Sequence, residues 1–500
     1  MKAFLLKKKD LFLIEKLMPT PENSSYSNFS EESFSALDAG ANELEEIFLP
    51  ITASISPQIL TKVTCLFNAS LEDILNECFQ NARSAGATQV EVLFTEQRTL
   101  RIEDNGCGIE SPQMLLNLGQ SDWDQTVVES EDPAGMGVFS LANRGAVISS
   151  QDWQVQLNPE HFSGQSAAIV QSSAARVGTR IEFPLLEAEV RSLPLLIESA
   201  ARYYPLSIKF NGAALPQQDF LEDAMVVKSW RGLRLGVSAH HRWADRVGEG
   251  ALNFYGLTVH SHLPSLACND TPLRVRVDVD TAPELKLVLP ARKEVVQNAF
   301  FDELKVELRR TLYEAVATLE HHNLSYVRWL EARSFGIDLP PARPYLEVFK
   351  PQTGDYLAGE GWGSSHPVNA TTMRVDAGEL PTSEQQLLAR ALSNSDLPYT
   401  FVATEDKYQG YGWYDALPKL SSTRFEIEIE NQVFSPAEFG ELYTQNLNVL
   451  VDRITVIVMQ TQVGQPDTEL RFPLDVGFSA IDEAAYNGSI NEVTLAIAQH

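Results

Sequence analysis

The first strong pattern in the chain is a helical stripe. Leu71, Ile74, Leu75, Cys78, Phe79 and Ala82 recur at i, i+3, i+4, i+7, i+8 and i+11, which predicts a helix over residues 71–85. Ser70 with Asp73 makes a capping-box-like start, and Gly86 supplies the stop. The period then switches to two. Val90, Val92 and Phe94 alternate, as do Leu100 and Ile102 beyond a short polar turn, so two strands follow the helix. Asp104-Asn-Gly-Cys-Gly-Ile109 reads as a loop, and residues 110–134 are polar and acidic with Trp123 among them. Gly135-Met-Gly137 opens an apolar helix over 138–142, and further strands are expected at 152–157, 166–172 and 179–184.

Beyond residue 190 the pattern describes a second unit. Strands are predicted at 207–210, 273–279 and 285–289, and a long helix at 301–321. Pro340, Pro341 and Pro344 mark a linker. Residues 345–500 read as a third, α+β unit, with alternation at 425–430 and a buried-strand pattern at 454–459. Residues 1–45 begin basic and apolar and become Ser- and Glu-rich, the composition of an arm of low intrinsic order. The expected organisation is therefore an arm (1–45), a first domain (46–190), a second, α/β domain (191–340) and a third, α+β domain (345–500), with the chain as a whole of α+β class. Three domains suit 500 residues at roughly 100–200 per domain.

The net charge of −28 and the pI of about 4.7 disfavour wholesale binding of a phosphate backbone. Four cysteines, Cys65, Cys78, Cys107 and Cys268, are too sparse for a disulfide scaffold or a thiolate zinc site. The apolar start is broken by Lys7-Lys8-Lys9-Asp10, with no signal-peptide cleavage site after it, and no stretch is long enough to span a membrane. The expectation is a cytoplasmic protein without a membrane partner.

Four pieces of candidate chemistry converge in residues 71–181. Glu77 and Asn81 lie one turn apart, off the apolar stripe. A carboxylate there can polarise a water, and an amide oxygen can hold a hard cation such as Mg²⁺. Asp104 ends a strand before Gly106 and Gly108; an ionised carboxylate only accepts hydrogen bonds, which suits an exocyclic amine, and the glycines permit close approach. Gly135 and Gly137 precede a predicted helix, whose free N–H groups can cradle phosphate. Gly178-Thr179 opens a strand, where a hydroxyl could support Asp104 through a water. Each piece alone has a bland explanation: a solvated helix face, a turn between strands, an ordinary strand threonine. Their order along the chain is far more specific.

Glu77-Cys-Phe-Gln-Asn81, Asp104-Asn-Gly-Cys-Gly-Ile109, Gly135-Met-Gly137 and Gly178-Thr179 together resemble the GHKL ATPases, a group that includes DNA gyrase B, the large heat-shock chaperone, sensor histidine kinases and MutL. The resemblance covers residues 50–190. It implies a two-layer α/β sandwich that binds ATP and Mg²⁺, with Glu77 as general base, Asn81 as the metal ligand, and Asp104, Gly106, Gly108, Ile109, Gly135, Met136, Gly137, Val138 and Thr179 around the nucleotide. Residues 117–137 would be the ATP lid. Ser84 departs from the pattern: chaperone- and MutL-like members usually carry Asp three residues after the Asn, and Ser84 is expected to take its place at the nucleotide.

No histidine precedes the Asn motif, the first being His161, which argues against a histidine kinase. Leu289-Pro-Ala-Arg292-Lys293-Glu-Val295 resembles the transducer loop of MutL, so Arg292 or Lys293 would meet the γ-phosphate, unless the segment is only an exposed basic turn. The expected function is slow, Mg²⁺-dependent ATP hydrolysis driving a clamp that homodimerises on ATP, chaperone-like or MutL-like. A protein client fits the acidic charge better than direct nucleic acid. The alternative is a nucleotide-gated binding module with little turnover, acting in a larger complex such as DNA repair or defence. His240-His241, His260 with His262, Arg144 and the aromatic stretch Tyr408–Tyr414 are weaker candidates, better explained as surface or packing residues.

Overall fold

Ser70 and Asp73 start the first helix by exchanging hydrogen bonds: the Asp73 N–H donates to Ser70 Oγ at 3.2 Å and the Ser70 N–H to Asp73 Oδ2 at 3.1 Å. This helix, α1 (Leu71–Ser84), ends before Gly86, whose φ of +70° is the left-handed region glycine favours. The computed structural model describes residues 70–117, 137–239, 251–289, 292–351, 365–445 and 451–475, all within one compact unit. The 1–45 arm, most of the 117–137 segment with Gly135 and Met136, and His240-His241 lie outside the described residues.

Eight strands form the first sheet: β1 (Gln89–Phe94), β2 (Thr99–Asp104), β3 (Ala146–Ser150), β4 (Trp153–Leu157), β5 (Val170–Ser172), β6 (Thr179–Pro184), β7 (Ser207–Phe210) and β8 (Ala213–Ala214). Their order is β5-β4-β3-β6-β2-β1-β7-β8, antiparallel except for the parallel pair β1/β7. The apolar stripe of α1 shares one core with Val90, Val92, Leu100, Ile102 and Ile148 of the sheet and with Leu193 and Ile197 of α2 (Glu187–Ala201). Helices on a mixed sheet give the expected α+β sandwich.

The second sheet contains β9 (Val226–Trp230), β10 (Leu233–Ala239), β11 (Ala251–Phe254), β12 (Leu257–His260), β13 (Ser265–Cys268) and β14 (Thr271–Val279), in the order β12-β11-β14-β10-β9 with β13 also on β14. Helix α3 (Ala299–Ala317) lays Phe301, Leu304, Leu308 and Leu312 into the core it shares with that sheet. Helix α4 (Tyr326–Ser334) follows, then the short pair β15 (Tyr345–Glu347) and β16 (Ser365–Pro367). The last sheet runs β18-β17-β19-β21-β22, with β20 on β19, from β17 (Thr372–Val375), β18 (Thr400–Ala403), β19 (Lys419–Ile429), β20 (Gln432–Phe434), β21 (Arg453–Thr461) and β22 (Thr468–Asp475). Helices α5 (Thr382–Ser393) and α6 (Pro436–Gln445) contribute Leu388 and Phe439 to its core.

Several elements differ from expectation. The helix predicted at 138–142 is one 3₁₀ turn, Gly137–Leu141, because the chain must swing into β3 through Gly145 at φ +73°. The strand predicted at 207–210 hydrogen-bonds to β1, so the first sheet draws on residues up to 214. The segment 285–289 forms only a bridge between Leu287 and Val295, which closes a loop. The long helix starts at Ala299, where the Asn298 side chain accepts from the Phe301 N–H at 2.9 Å, and stops at Ala317. The proline segment at 340–344 is packed: Trp329 Nε1 donates to the Leu339 carbonyl at 2.9 Å, and Leu339 and Ala342 are buried.

Candidate nucleotide site

With one face of α1 buried on the sheet, the opposite face carries Asp73, Glu77, Gln80, Asn81 and Ser84, spaced three and four apart. Glu77 and Asn81 are half-buried. Among the described residues, neither the Glu77 carboxylate nor the Asn81 side-chain amide has a hydrogen-bond partner; the nearest charge to Glu77 is Arg292, with Nη1 3.8 Å from Oε1. The first 3₁₀ residue beyond the glycine-containing segment, Gly137, lies against both: a Cβ there would stand 2.6 Å from Glu77 Oε2 and 3.2 Å from Asn81 Nδ2. A side chain at 137 would fill the space these two groups face. Val138 packs on the core beneath.

Arg292 arrives from the second unit. The Leu287–Val295 bridge and a 2.9 Å hydrogen bond from the Arg292 N–H to the Val288 carbonyl close its loop, and Arg292 takes φ +50°. Its guanidinium donates to Gln80 Oε1 as well as facing Glu77. Lys293 Nζ lies 3.2 Å from Asp73 Oδ1. Exposure separates the two cations: the Arg292 side chain is 13% exposed and that of Lys293 68%. Arg292 is inside the cleft and Lys293 at its rim.

Burial pushes the Glu77 carboxyl above its ordinary range; Arg292 opposes this and Asp73 reinforces it. For Asp73 itself burial acts upward, but hydrogen bonds from Ser70 and the charge of Lys293 outweigh it and hold its pKa down. The two acids on one helix face are thus driven apart, and Glu77 is the more basic.

Asp104 ends β2 on the neighbouring strand. Its Oδ1 accepts the Gly106 N–H at 2.8 Å, and it also accepts the backbone N–H of Thr179, which is buried. Burial raises its pKa against these donors and the nearby Arg176 charge. Two glycines hug the carboxylate. A Cβ on Gly178, at φ +72°, would come 2.0 Å from the Asp104 carbonyl oxygen, and one on Gly106 would come 2.7 Å from Ala85 Cβ. Gly108, at φ +77°, has no room for a Cβ beside Ser150 Oγ. The turn is tied to the sheet by the Ile109 N–H donating to Ser150 Oγ at 2.8 Å, by Ser150 Oγ donating to the Gly178 carbonyl at 3.0 Å, and by Trp153 Nε1 donating to the Ile109 carbonyl at 3.2 Å. Ser84 closes α1, half-buried.

The structure therefore gathers Glu77, Asn81, Gly137 and Arg292 in one cluster, and Asp104, Gly106 and Thr179 in a second at the same end of the sheet. Gln80 and Arg176 were not singled out from sequence. Gln80 was legible, standing three residues after Glu77 on the same face; nothing in the pattern around Arg176 marks it. The weaker candidates resolve as packing. Arg144 makes a two-pronged ion pair with Glu189 at 2.6 and 2.7 Å. Tyr408, Tyr411 and Tyr414 are buried, with Tyr411 against Tyr326 and Trp329 of α4. His260 and His262 are exposed, and among the described residues no group of three His, Cys, Asp or Glu is placed to hold a metal. No described helix is long and apolar enough to cross a membrane.

No family model matches the chain, and no curated protein matches it. Solved structures do. The Aquifex aeolicus MutL ATPase domain complexed with ADP is 16% identical, covering 43% of this chain and 94% of its own, with a TM-score of 0.26. The B-subunit of DNA gyrase from Myxococcus xanthus is 13% identical over 49% of this chain and 89% of its own, with a TM-score of 0.32. The topoisomerase IV ATP-binding domain of Francisella tularensis, in complex with a small-molecule inhibitor, is 13% identical over 56% and 90%, also at 0.32. Superpositions this loose carry no argument of their own about activity. They report that the chain is similar in structure, at low sequence identity, to GHKL ATPase domains of the MutL, gyrase B and topoisomerase IV kinds.

Proposed function

We propose that the chain binds ATP between the polar face of α1 and the glycine turns, and hydrolyses it slowly with Mg²⁺. The observation that carries this is the pair Glu77 and Asn81 facing Gly137, with the Arg292 guanidinium 3.8 Å from Glu77. Both groups are half-buried, and among the described residues neither makes a side-chain hydrogen bond. A ligand that takes up those groups explains why they are kept.

In this reading Asp104 accepts from the exocyclic amine of adenine, in a pocket that Gly106 and Gly178 keep open. Asn81 offers its amide oxygen to Mg²⁺, which would neutralise phosphate charge when bound. Glu77, made more basic by burial, takes the proton of the attacking water. Arg292 supplies positive charge to the transferring phosphoryl and links the first unit to the second. Lys293, exposed and paired to Asp73, contributes at the rim. Gly135 and Met136 belong to the lid of this reading, and ATP binding would drive dimerisation of a clamp, chaperone-like or MutL-like, acting on a protein client.

Mass in solution measured with and without a non-hydrolysable ATP analogue tests the clamp. A doubling with the analogue supports it; an unchanged mass in protein that binds the analogue leaves a nucleotide-gated module.

A further inference from the structure

We propose that the third sheet binds an extended, basic segment of a partner protein as an added strand, in the gap between β17 and β20. On one edge β19 pairs with β21 from Lys419 to Glu428. On the other edge it is paired only near its ends, with β17 at Lys419 and Leu420 and with β20 from Ile427 to Ile429. Between those ends, Ser421–Glu426 has no strand on that edge among the described residues, a gap of roughly 20 Å at 3.3 Å per residue. A bulge between Ser421 and Arg424, with Ser422 at φ +52°, bends β19 there. Backbone groups alternate along a strand, so the register that turns those of Ile427 and Ile429 to β20 turns those of Phe425 into the gap. An open edge of this kind is a template for another strand.

The gap opens on a cavity of about 460 Å³, lined by residues 423–426 of β19, by Val433 and Phe434 of β20, by the start of α6 and by Glu384 of α5. Val433, 61% exposed, and Phe434 give it apolar surface. Charge selects the occupant. Arg424 pairs with Glu469, and Glu426 with Arg471 at 2.8 Å, so these two wall residues are neutralised by partners outside the cavity. Glu438 accepts only from the N–H and hydroxyl of Ser435, each at 2.8 Å, which carry no charge. Glu384 is half-buried and has neither a hydrogen bond nor an ion pair among the described residues; burial pushes its carboxyl above the ordinary range. Two carboxylates thus lack a cation beside an open strand edge. A segment bearing Lys or Arg supplies the cation while its backbone pairs with β19. The site shares no residue with the α1 cleft and does not rest on the ATP reading.

The test is fluorescence polarisation of a fluorescein-labelled peptide of Val-Lys repeats, titrated with the full-length chain at low salt and without nucleotide. Comparison peptides replace each Lys by Glu, or carry N-methyl groups on alternate amides, which blocks strand pairing on that edge. A dissociation constant of about 0.1 mM or tighter is expected for the Val-Lys peptide, and binding at least about tenfold weaker for either comparison peptide. Glu384→Gln should weaken binding about threefold and Glu384→Lys about tenfold or more, with the melting temperature retained. Three results overturn the proposal: no binding of the Val-Lys peptide, equal binding of the N-methylated peptide, or binding untouched by both variants. Equal binding of the acidic peptide overturns the basic part of the assignment. A dimer in sedimentation that excludes the peptide would put a second copy of the chain in the gap and overturn the assignment to a partner protein.

Discussion

Glu77 and Asp278 are both half-buried carboxylates whose pKa burial pushes upward, yet the protein treats them in opposite ways. Asp278, on β14, accepts from Asn253 Nδ2 at 2.7 Å and from Arg234 Nη1 at 2.9 Å. Its partners are themselves held: Arg234 pairs with Asp219 at 2.9 Å, and Asn253 Oδ1 accepts the Gly256 N–H at 2.9 Å. Among the described residues Glu77 has only a charge at 3.8 Å, brought by the loop that the Leu287–Val295 bridge closes. The first carboxylate closes a network that stabilises its unit. The second makes no hydrogen bond among the described residues and faces the cleft. Burial of a charge is therefore no sign of a site by itself; burial without satisfaction is.

The largest effect that sharpens this contrast is at Gly178. Gly178→Ala puts a Cβ 2.0 Å from the Asp104 carbonyl at a φ of +72°, so it should cost ~3 kcal/mol or more and abolish nucleotide binding. Denaturant melts and ATP titration check both halves. Asp278→Ala leaves the Asn253 side-chain amide without its acceptor and Arg234 with Asp219 alone, and should cost about 2–3 kcal/mol, read by the same melts, with nucleotide affinity unchanged. If Asp278→Ala weakens ATP binding in folded protein, the division between the two carboxylates fails.

Smaller effects probe the link between units. Gln80→Ala removes the acceptor that holds Arg292 beside Glu77 and should lower turnover about tenfold while ATP affinity changes little. A loss of affinity with turnover per bound ATP intact would assign Gln80 to binding. The smallest effect is on stability. Because the folded-state pKa of Glu77 is raised, the folded protein favours the protonated form, and ionisation of Glu77 works against the fold as pH rises through that pKa. Glu77→Gln should raise the melting temperature by about 1–3 °C at pH 7.5, and the gain should vanish in acid, where both states carry the proton.

Much of the site was legible because local chemistry left periodic traces. The α1 stripe and its cap, the alternation of β1 and β2, and the Glu77/Asn81 spacing all lie within single elements. What the sequence hid was long-range. The parallel pairing of β7 with β1 joins residues more than a hundred positions apart, and no local pattern encodes it. Arg292 and Lys293 are chemically alike in a basic pair; only the loop's closure and the φ of +50° decide that Arg292 turns inward. The aromatic run at Tyr408–Tyr414 reads as a packed loop, but only the fold shows that Tyr411 packs on Tyr326 and Trp329 of α4. The third unit's sheet follows its alternation, with Phe425, Ile427 and Ile429 inward, yet nothing in that alternation points to a role.

The most direct test is Mg²⁺-dependent ATP hydrolysis by wild type, Glu77→Ala and Asp278→Ala, each normalised to folded protein that binds ATP. The account predicts slow turnover in the wild type, a loss of about 10²–10⁴-fold in Glu77→Ala, and an unaltered rate in Asp278→Ala. Equal rates in wild type and Glu77→Ala would contradict it, because the open carboxylate on α1 would then have no part in the chemistry.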